Sequence, residues 1–301
     1  MTPKLDRIGF IGAGRLGQVM ACALAAAGFH VGGVFSRRID SAQALADRLG
    51  AAGHPVAVLP DADALVQACD TVFITVPDDH IRAVAERLPW RTGQVALHCS
   101  GATELAALAA AAKAGAHTAG FHPLHTFGDP DAALAGLAGC SVAVEAADAG
   151  LREALADLAG RLGMRPFELP SGARTLYHAS AHFAGSLVVT LMDEAVRHWA
   201  RFGVAHEVAL AALLPLLSST VRAMQARGLG PGMAGVVARG DVGVLQQHLG
   251  ALGTVGPDEC ELYAQISRRS VRLALEAGRI DVQQAAAMIR ALESRAAAPP
   301  P

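Results

Sequence analysis

The chain has 301 residues, of which 52% are hydrophobic and 17% charged, with a formal net charge of −2 at pH 7. This length is typical of two domains, and the apolar content allows a large core. The near-neutral charge, without a basic block, argues against nucleic acid as a partner. We find no uninterrupted apolar run of about 18 residues and no signal-peptide pattern, so we expect neither a membrane span nor a signal peptide.

A glycine motif organises the N-terminal half. G-x-G-x-x-G follows the apolar run 8–11 and precedes an Ala-rich run at 18–27. In a dinucleotide-binding unit, the first glycine makes the turn, the second lets backbone approach a pyrophosphate, and the third lets the helix pack closely. The first amides of that helix favour the phosphate charge. We therefore predict that cofactor is bound here by Gly12, Ala13, Gly14, Arg15, Leu16 and Gly17.

The end of the second predicted strand indicates which cofactor is used. An NAD-type unit has an acidic residue about 20 positions beyond the glycines, but this chain has Ser36, Arg37 and Arg38. A hydroxyl and two guanidinium groups suit a 2′-phosphate, which a carboxylate would repel. These residues favour NADP; the alternative is a solvated arginine pair at a strand end.

The chain as a whole predicts an α/β fold: a Rossmann, doubly wound and mostly parallel sheet followed by an all-helical domain. We predict strands at 7–11, 31–38, 56–59, 71–76, 95–98, 117–121, 141–145 and 165–169. Helices are predicted between them, one of them Ala-rich with Thr103 as its N-cap. From residue 173 the periodicity is only helical, with a first long helix over about 173–202 and Asp241 capping 242–249. The expected domains are 1–170 and 171–295, with a disordered tail at 296–301.

Three predicted strand ends carry polar or unusual residues. In open α/β sheets the ligand lies outside the carboxyl ends of the strands. These ends contain Val76-Pro77, His98-Cys99-Ser100 and His122-Pro123. We expect them to border the nicotinamide, with Val76, Pro77 and Ser100 among the cofactor contacts.

Hydride transfer to C=O or C=N needs a proton donor near the acceptor atom, and histidine suits this role near neutral pH. His122 and His178 are our catalytic candidates, with Ser100 orienting the substrate. The alternatives are a structural cap for His122 and a solvent-facing helix position for His178. Tyr177 is a fallback donor, and His98 is expected to be a core residue.

Other polar residues carry weaker signals. A histidine cluster of His122, His125, His178 and His182 would be needed for a metal site, but neither cysteine nor carboxylate completes a known motif. Arg239 is either a substrate-carboxylate ligand or part of an internal ion pair. Five cysteines are scattered without C-x-x-C, which favours reduced thiols and a cytoplasmic location.

Several segments together resemble a bacterial family of Rossmann-like NADP- or deazaflavin-dependent (coenzyme F420-type) oxidoreductases with a helical C-terminal domain. They are I-G-F-I-G-A-G-R-L-G, H-C-S-G-A, F-H-P-L-H-T-F, L-Y-H-A-S-A-H-F-A and A-R-G-D-V-G-V-L-Q-Q-H-L, within residues 8–252. More distantly, the chain is similar to pyrroline-5-carboxylate reductase and to the 6-phosphogluconate and 3-hydroxyisobutyrate dehydrogenases. The resemblance implies a helical domain that forms a homodimer and closes over the cofactor.

The chain departs from these families in its helical part. It has Ser186 where the family usually has Asn, and Val236-Val237 where the family has Gly-Pro. The distant hydroxyacid dehydrogenases use a lysine in the helical domain, but the only lysines here are Lys4 and Lys113. We therefore reject a lysine mechanism.

These observations lead to one main hypothesis and two alternatives. The main one is an NADP(H)-dependent oxidoreductase acting on a small imine, ketone or hydroxy compound, with a histidine handling the proton. The second is a non-catalytic NADP-binding regulatory or redox-sensing protein, favoured by the absence of a catalytic lysine. The third is metal-assisted chemistry at the histidines.

Overall fold

A computed structural model describes residues 5–294 of the chain. It divides into two compact units, the first ending at Val188 and the second beginning at Val189. The predicted boundary followed the last strand, at residue 170. The first unit extends further because the helix after the sheet is anchored to the strands by the buried Arg174. The predicted tail at 296–301 lies outside the described residues.

The N-terminal unit is built on one seven-stranded sheet with the order β2-β1-β3-β4-β5-β6-β7. All neighbouring strands are parallel except β5 and β6, which are antiparallel. This confirms the predicted doubly wound, mostly parallel sheet. The strands are β1 (Ile8–Ile11), β2 (Val31–Phe35), β3 (Thr71–Ile74), β4 (Val95–His98), β5 (His117–Pro123), β6 (Ser141–Ala146) and β7 (Arg165–Glu168).

Helices flank this sheet on both faces. Its central strands β1, β3 and β4 are buried along their whole length, as apolar parallel strands covered on both faces should be. Phe10 and Phe73 stack with ring centroids 5.0 Å apart. The helices are α1 (Arg15–Ala26), α2 (Ile39–Ala51), α3 (Ala62–Ala68), α4 (Asp78–Arg87), α5 (Ala109–Lys113), α6 (Pro130–Ala135), α7 (Ala149–Arg161) and α8 (Arg174–Ala184).

Two local predictions in this unit are wrong. The expected strand at 56–59 is a single parallel bridge between Val34 and Val58, since prolines at 55 and 60 leave too few amides to extend a ladder. Thr103 is not a helix N-cap. The segment begins with a 3-10 turn, Leu105–Leu108, and the hydroxyl of Ser100 accepts the amides of Ala102 and Thr103 instead.

Two further helix assignments also need correction. The predicted long helix over 173–202 is two helices, α8 and α9 (Ser186–Ala200), because Gly185 leaves the helical backbone region between them. The short helix α6 was not predicted, although its start has the usual signals. Asp129 accepts the amide of Ala132 as N-cap, and Pro130 takes the first helical position.

The C-terminal unit is helical. Its own core consists of apolar side chains such as Leu245, Val271 and Met288. Asp241 caps α12 as predicted, its carboxylate accepting the amide of Val244 at 3.1 Å. After α9 the helices are α10 (His206–Arg227), α11 (Leu229–Gly232), α12 (Val242–Gly253), α13 (Pro257–Glu276) and α14 (Val282–Glu293).

The helix α10 is long and apolar enough to cross a membrane by length and composition. It has 22 residues, and its most apolar stretch of 18 residues has a mean hydropathy of 1.4 and is 6% buried. Among the described residues no other helix meets these criteria. A single such helix is weak evidence, since a core helix of a soluble protein passes the same test.

Candidate active site

A cleft of about 1110 Å³ opens at the carboxyl ends of β1, β2 and β3. Here the chain leaves β1 toward β2 on one side and later returns as β3 on the other. This is the switch point at which open α/β sheets bind ligands. The predicted residues that line it are Gly12, Ala13, Gly14, Arg15, Ser36, Arg37, Arg38, Val76 and Pro77.

The three motif glycines have distinct surroundings. Gly12 has a φ of +111°, and a Cβ there would lie 2.6 Å from the carbonyl oxygen of Thr75. A Cβ on Gly17 would lie 2.4 Å from the carbonyl oxygen of Gly12, whereas one on Gly14 would meet nothing within 4 Å. Gly12 and Gly17 therefore serve close packing, and Gly14 leaves open space at the cleft.

No side chain caps the first turn of α1. Its N-cap is Gly14, with no side-chain hydrogen bond and no acidic residue in the first turn. Its amides are thus available for an anion. By contrast, aspartates cap five helices: Asp61, Asp129, Asp148, Asp241 and Asp281.

Ser36, Arg37 and Arg38 follow β2 at one side of the cleft. Ser36 Oγ accepts the amide of Arg38 at 3.3 Å, and both arginines are exposed. The opposite wall is α4, from which His80 and Arg87 line the cleft. His80 and Arg87 were not predicted from the sequence, although their i, i+7 spacing on a helix that begins at a strand end indicates one shared face.

Two catalytic candidates meet beside the neighbouring strand ends. The Nδ1 atom of His122, on β5, lies 2.7 Å from the hydroxyl of Tyr177 on α8. The rings of His122 and His178 are 5.8 Å apart, edge to face. Gly101, after β4, fits between them: a Cβ there would lie 2.4 Å from His178 Nδ1 and 2.9 Å from His122 Nε2.

The His122–Tyr177 pair is neutral around pH 7. Burial, His178 and Arg174 lower the pKa of His122 from 6.5 to about 4. Burial raises the pKa of Tyr177 to about 12, against a smaller lowering by Arg174. The pair can therefore donate a hydrogen bond or relay a proton, but His122 is not an imidazolium acid at this pH.

Ser100 is engaged by the protein itself. Its hydroxyl lies 2.7 Å from the Asp78 carboxylate and 2.9 Å from the Thr103 hydroxyl, and accepts two backbone amides. It is buried and outside the cleft lining. Leu16 and Gly17 are also outside that lining and pack toward the sheet. Contacts of these three residues with cofactor or substrate stay predictions.

The other histidines are not brought into this cluster. His98 is buried in β4, and burial, Arg174 and His122 lower its pKa to about 3. His125 Nδ1 donates to the carbonyl of Thr126, and its Nε2 lies near Gly136. His182 is exposed. Residues 5–294 contain no group of three or more His, Cys, Asp or Glu placed to hold a metal.

Arg239 belongs to the helical unit. It is exposed at the end of a 3-10 turn, and no ion pair forms at it among residues 5–294. The alternative of an internal ion pair is thus not supported, and a substrate-binding role stays a hypothesis.

Comparison with protein families assigns both parts of the chain. Residues 7–99 match NADP oxidoreductase, coenzyme F420-dependent, and residues 140–270 match a domain of unknown function, DUF2520. The N-terminal part of the chain is thus similar to the coenzyme F420-dependent NADP oxidoreductases, and the C-terminal part to the DUF2520 domain. The predicted family, the NADP-dependent oxidoreductase class and the cofactor NADP are thereby confirmed. No curated protein matches the chain.

Several solved structures share the fold of this chain. A Bacteroides fragilis protein described as an NADP oxidoreductase is 21% identical, with a TM-score of 0.69, covering 89% of this chain and 98% of that one. A reductive aminase from Aspergillus terreus, in complex with NADPH and ethyl-5-oxohexanoate, is 15% identical (TM-score 0.61; 97% and 94%). A 1-pyrroline-5-carboxylate reductase from Streptococcus pyogenes is 14% identical (TM-score 0.62; 91% and 98%).

Proposed function

We propose that this NADP-dependent oxidoreductase transfers a hydride between the nicotinamide and a small imine, ketone or hydroxy compound. One observation carries the proposal: a cofactor cleft and a His122–Tyr177–His178 cluster lie along the same carboxyl edge of one sheet. The cleft lies at β1 and β3, and the cluster begins at β4 and β5. These strands are adjacent, so a nicotinamide near Val76 and Pro77 would face the cluster.

The cleft suits NADP in both of its phosphate-binding regions. The uncapped amides of α1 at Gly14 would hold the pyrophosphate. Ser36, Arg37 and Arg38 would hold the 2′-phosphate through charge-assisted hydrogen bonds. Both regions line the same cleft, with open space at Gly14 for a ligand. When bound, the cofactor supplies a hydride.

The protein's own residues would manage the proton. A carbonyl or imine that gains a hydride also needs a proton, or a strong hydrogen bond, at oxygen or nitrogen. Tyr177 keeps its phenolic proton at neutral pH, and its hydrogen bond with His122 links it to a second ring nitrogen. We propose that one member of the Tyr177–His122 pair donates its proton to the substrate heteroatom while the other holds it through their mutual hydrogen bond, and that the exposed His178 relays the replacement proton from solvent.

The substrate class draws support from the structural neighbours. The reductive aminase complexed with a ketoester and the pyrroline-5-carboxylate reductase act as guides for a substrate panel of small ketones and cyclic imines. At such low identity these neighbours show only a shared fold, so the proposal depends on the cluster residues of this chain.

The helical part is proposed to form a homodimer. In α10 only Ala209 is buried, while Val208 and Leu216 are 59% and 62% exposed. Apolar side chains at this density on one helix favour burial against a partner. A cytoplasmic location is proposed from the scattered free cysteines.

The first experiment is a titration with NADPH and NADH, followed by nicotinamide fluorescence, on the wild type, Arg37→Ala and Arg82→Ala. Arg82 lies on α4 but outside the cleft lining, so it is the matched control. We expect NADPH to bind more tightly than NADH, and Arg37→Ala to weaken NADPH by about 1.5–3 kcal/mol. No binding of either nucleotide would overturn the proposal. Binding without turnover of any ketone or imine would favour the regulatory alternative.

A further inference from the structure

Arg174 anchors α8 in an unusual way. It is the first residue of that helix, is fully buried, and is the only buried residue of the helix. Amphipathic helices ordinarily attach through an apolar stripe. The attachment of α8 therefore depends on a guanidinium.

That guanidinium lies against three neighbouring strands, β4, β5 and β6. Its Nε lies 2.5 Å from Glu145 Oε2 on β6, and its Nη1 donates to the carbonyl of Ser100, after β4, at 2.7 Å. Gly120 lies on β5 between these strands, in register with His98 on β4 and Glu145 on β6. A Cβ on Gly120 would lie 1.7 Å from Arg174 Nη2, so this strand position must lack a side chain.

Both sides of the histidine cluster are reached from Arg174. Tyr177 and His178 follow it by three and four residues, one helical turn along α8. Ser100, whose carbonyl it holds, directly precedes Gly101, where His122 and His178 meet. One side chain thus sets the rotation of the helix and the position of the turn.

The ion pair is not fully hydrogen-bonded. Arg174 Nη2 and Glu145 Oε1 are buried and have no hydrogen-bond partner among the described residues. A buried pair with unmet bonding capacity is a weak source of stability, and apolar replacement of such pairs is often neutral. Retaining it is better explained by geometry than by stability.

We infer that Arg174 is a positioning residue, which clamps α8 to the Ser100–Gly101 turn so that Tyr177 and His178 meet His122. The inference rests on the proposed function for its catalytic meaning, but the placement of Tyr177 is measurable without substrate. Without the clamp, α8 has no other buried side chain to hold it, so the half-buried Tyr177 would become more exposed.

The test removes both charges at once, so that no lone buried charge remains. The variant is Arg174→Met/Glu145→Met. The matched control, Arg152→Met/Glu168→Met, removes an ion pair of 3.4 Å whose partners are 31% and 69% exposed. Both are made with Tyr263→Phe, because the chain has only two tyrosines and Tyr177 then reports alone.

The readout is the titration of Tyr177, followed by phenolate absorbance or by 19F NMR of incorporated 3-fluorotyrosine, with circular dichroism to show that the protein stays folded. The Tyr177 environment includes Arg174, Cys140 and His122. Removing only the positive charge of Arg174 would raise its pKa. Release of α8 would instead lower it toward the unperturbed value of about 10.

We expect a fall of at least about one pH unit in the clamp variant and no change in the control. An unchanged or raised Tyr177 pKa in a folded clamp variant would overturn the inference. NADPH affinity should stay within twofold, because the cleft lining does not include either mutated residue. If the wild-type protein does not bind NADPH, the proposed function is contradicted, but the Tyr177 result still tests the clamp.

A conservative variant separates geometry from charge. Arg174→Lys keeps the charge but lacks the planar fork that reaches Glu145 and Ser100 together. We expect a Tyr177 pKa between those of the wild type and the clamp variant. A wild-type value with lysine would show that charge alone is sufficient, which contradicts the clamp.

Discussion

A Cβ placed on Gly101 would lie 2.4 Å from Nδ1 of His178. The backbone of Gly101 does not have a positive φ. The site therefore requires the small size of this residue and not a special backbone conformation. His122 approaches the same position, 2.9 Å away. Both imidazole rings therefore pack directly against the Gly101 turn and leave no room for a side chain at this residue.

Gly101→Ala tests this close packing of the two histidine rings against Gly101. We expect the added methyl to displace both histidines and to lower kcat/KM for a screened ketone or imine at least tenfold, with NADPH affinity unchanged. Gly160→Ala is the control, since it lies in α7 with nothing within 4 Å of an added Cβ. The control should gain up to about 1 kcal/mol of stability. Equal activity in both variants would contradict the placement of the site at Gly101.

Tyr177→Phe removes the proposed donor without changing the ring. We expect kcat to fall by about 10²–10⁴, the range for loss of a general acid or base. Tyr263→Phe is a close chemical control, because Tyr263 also bonds a histidine, His248, at 2.8 Å in the helical unit. Equal rates for Tyr177→Phe and wild type in single-turnover hydride transfer would remove Tyr177 from the mechanism.

Ser36→Asp should reverse the cofactor preference. A carboxylate at this strand end suits a ribose 2′-OH and repels a 2′-phosphate. We expect NADPH affinity to fall more than tenfold while NADH affinity rises. Isothermal titration with both nucleotides measures this, and Ser41→Asp, also at the cleft, tests whether any added charge has the same effect. If the two variants behave alike, Ser36 has no specific role.

Stability should decrease as the pH falls below neutrality. His98 and His122 have pKa values of about 3 and about 4 in the folded protein, below the value of about 6.5 expected when unfolded. Between about pH 6.5 and 4 the unfolded chain binds more protons, so protonation favours unfolding. The part of the folding stability that depends on neutral His98 and His122 is therefore fully present above about pH 7 and is lost toward about pH 4.

His98→Asn checks this assignment, since asparagine keeps an acceptor for the Ser100 amide. Urea unfolding at pH 7.5 and 5.0 should show a smaller pH-dependent loss in the variant than in the wild type. His54→Asn, at an exposed position, should keep the wild-type difference. The same pH dependence in all three proteins would assign the loss of stability to other groups.

Leu216→Glu on α10 tests the proposed homodimer. Leu216 is 62% exposed, and a charge there should lower the dimer fraction at least tenfold if the helix is at an interface. Light scattering after gel filtration gives the mass. Gln225→Glu, an exposed position on the same helix, controls for added charge. A wild-type protein that is monomeric at high micromolar concentration would refute the homodimer.

Much of the fold could be predicted because its signals are local. The glycines at 12, 14 and 17 and the arginines at 37 and 38 belong to one strand–turn–helix–strand stretch, whose conformation follows from backbone sterics and apolar pattern. The same local reasoning failed at Thr103, because its amide is accepted by the Ser100 hydroxyl, which is itself held by the Asp78 carboxylate 22 positions away. The cleft residues His80 and Arg87 were not predicted, because α4 lines the same cleft as the end of β2 only when the strands pair in the order β2-β1-β3.

The sequence by itself determined the dinucleotide-binding unit, the preference for NADP and the histidines worth considering. Only the tertiary structure decided which of them meet. His122 and Tyr177 are 55 positions apart in the chain, and Arg174 and Glu145 are 29 apart. Their contacts depend on strand order and on the rotation of one helix, and no periodicity within either segment encodes these. Burial then keeps His122 neutral, because a charged imidazole would lose its hydration there. His178 and Arg174 lower the pKa of His122 further.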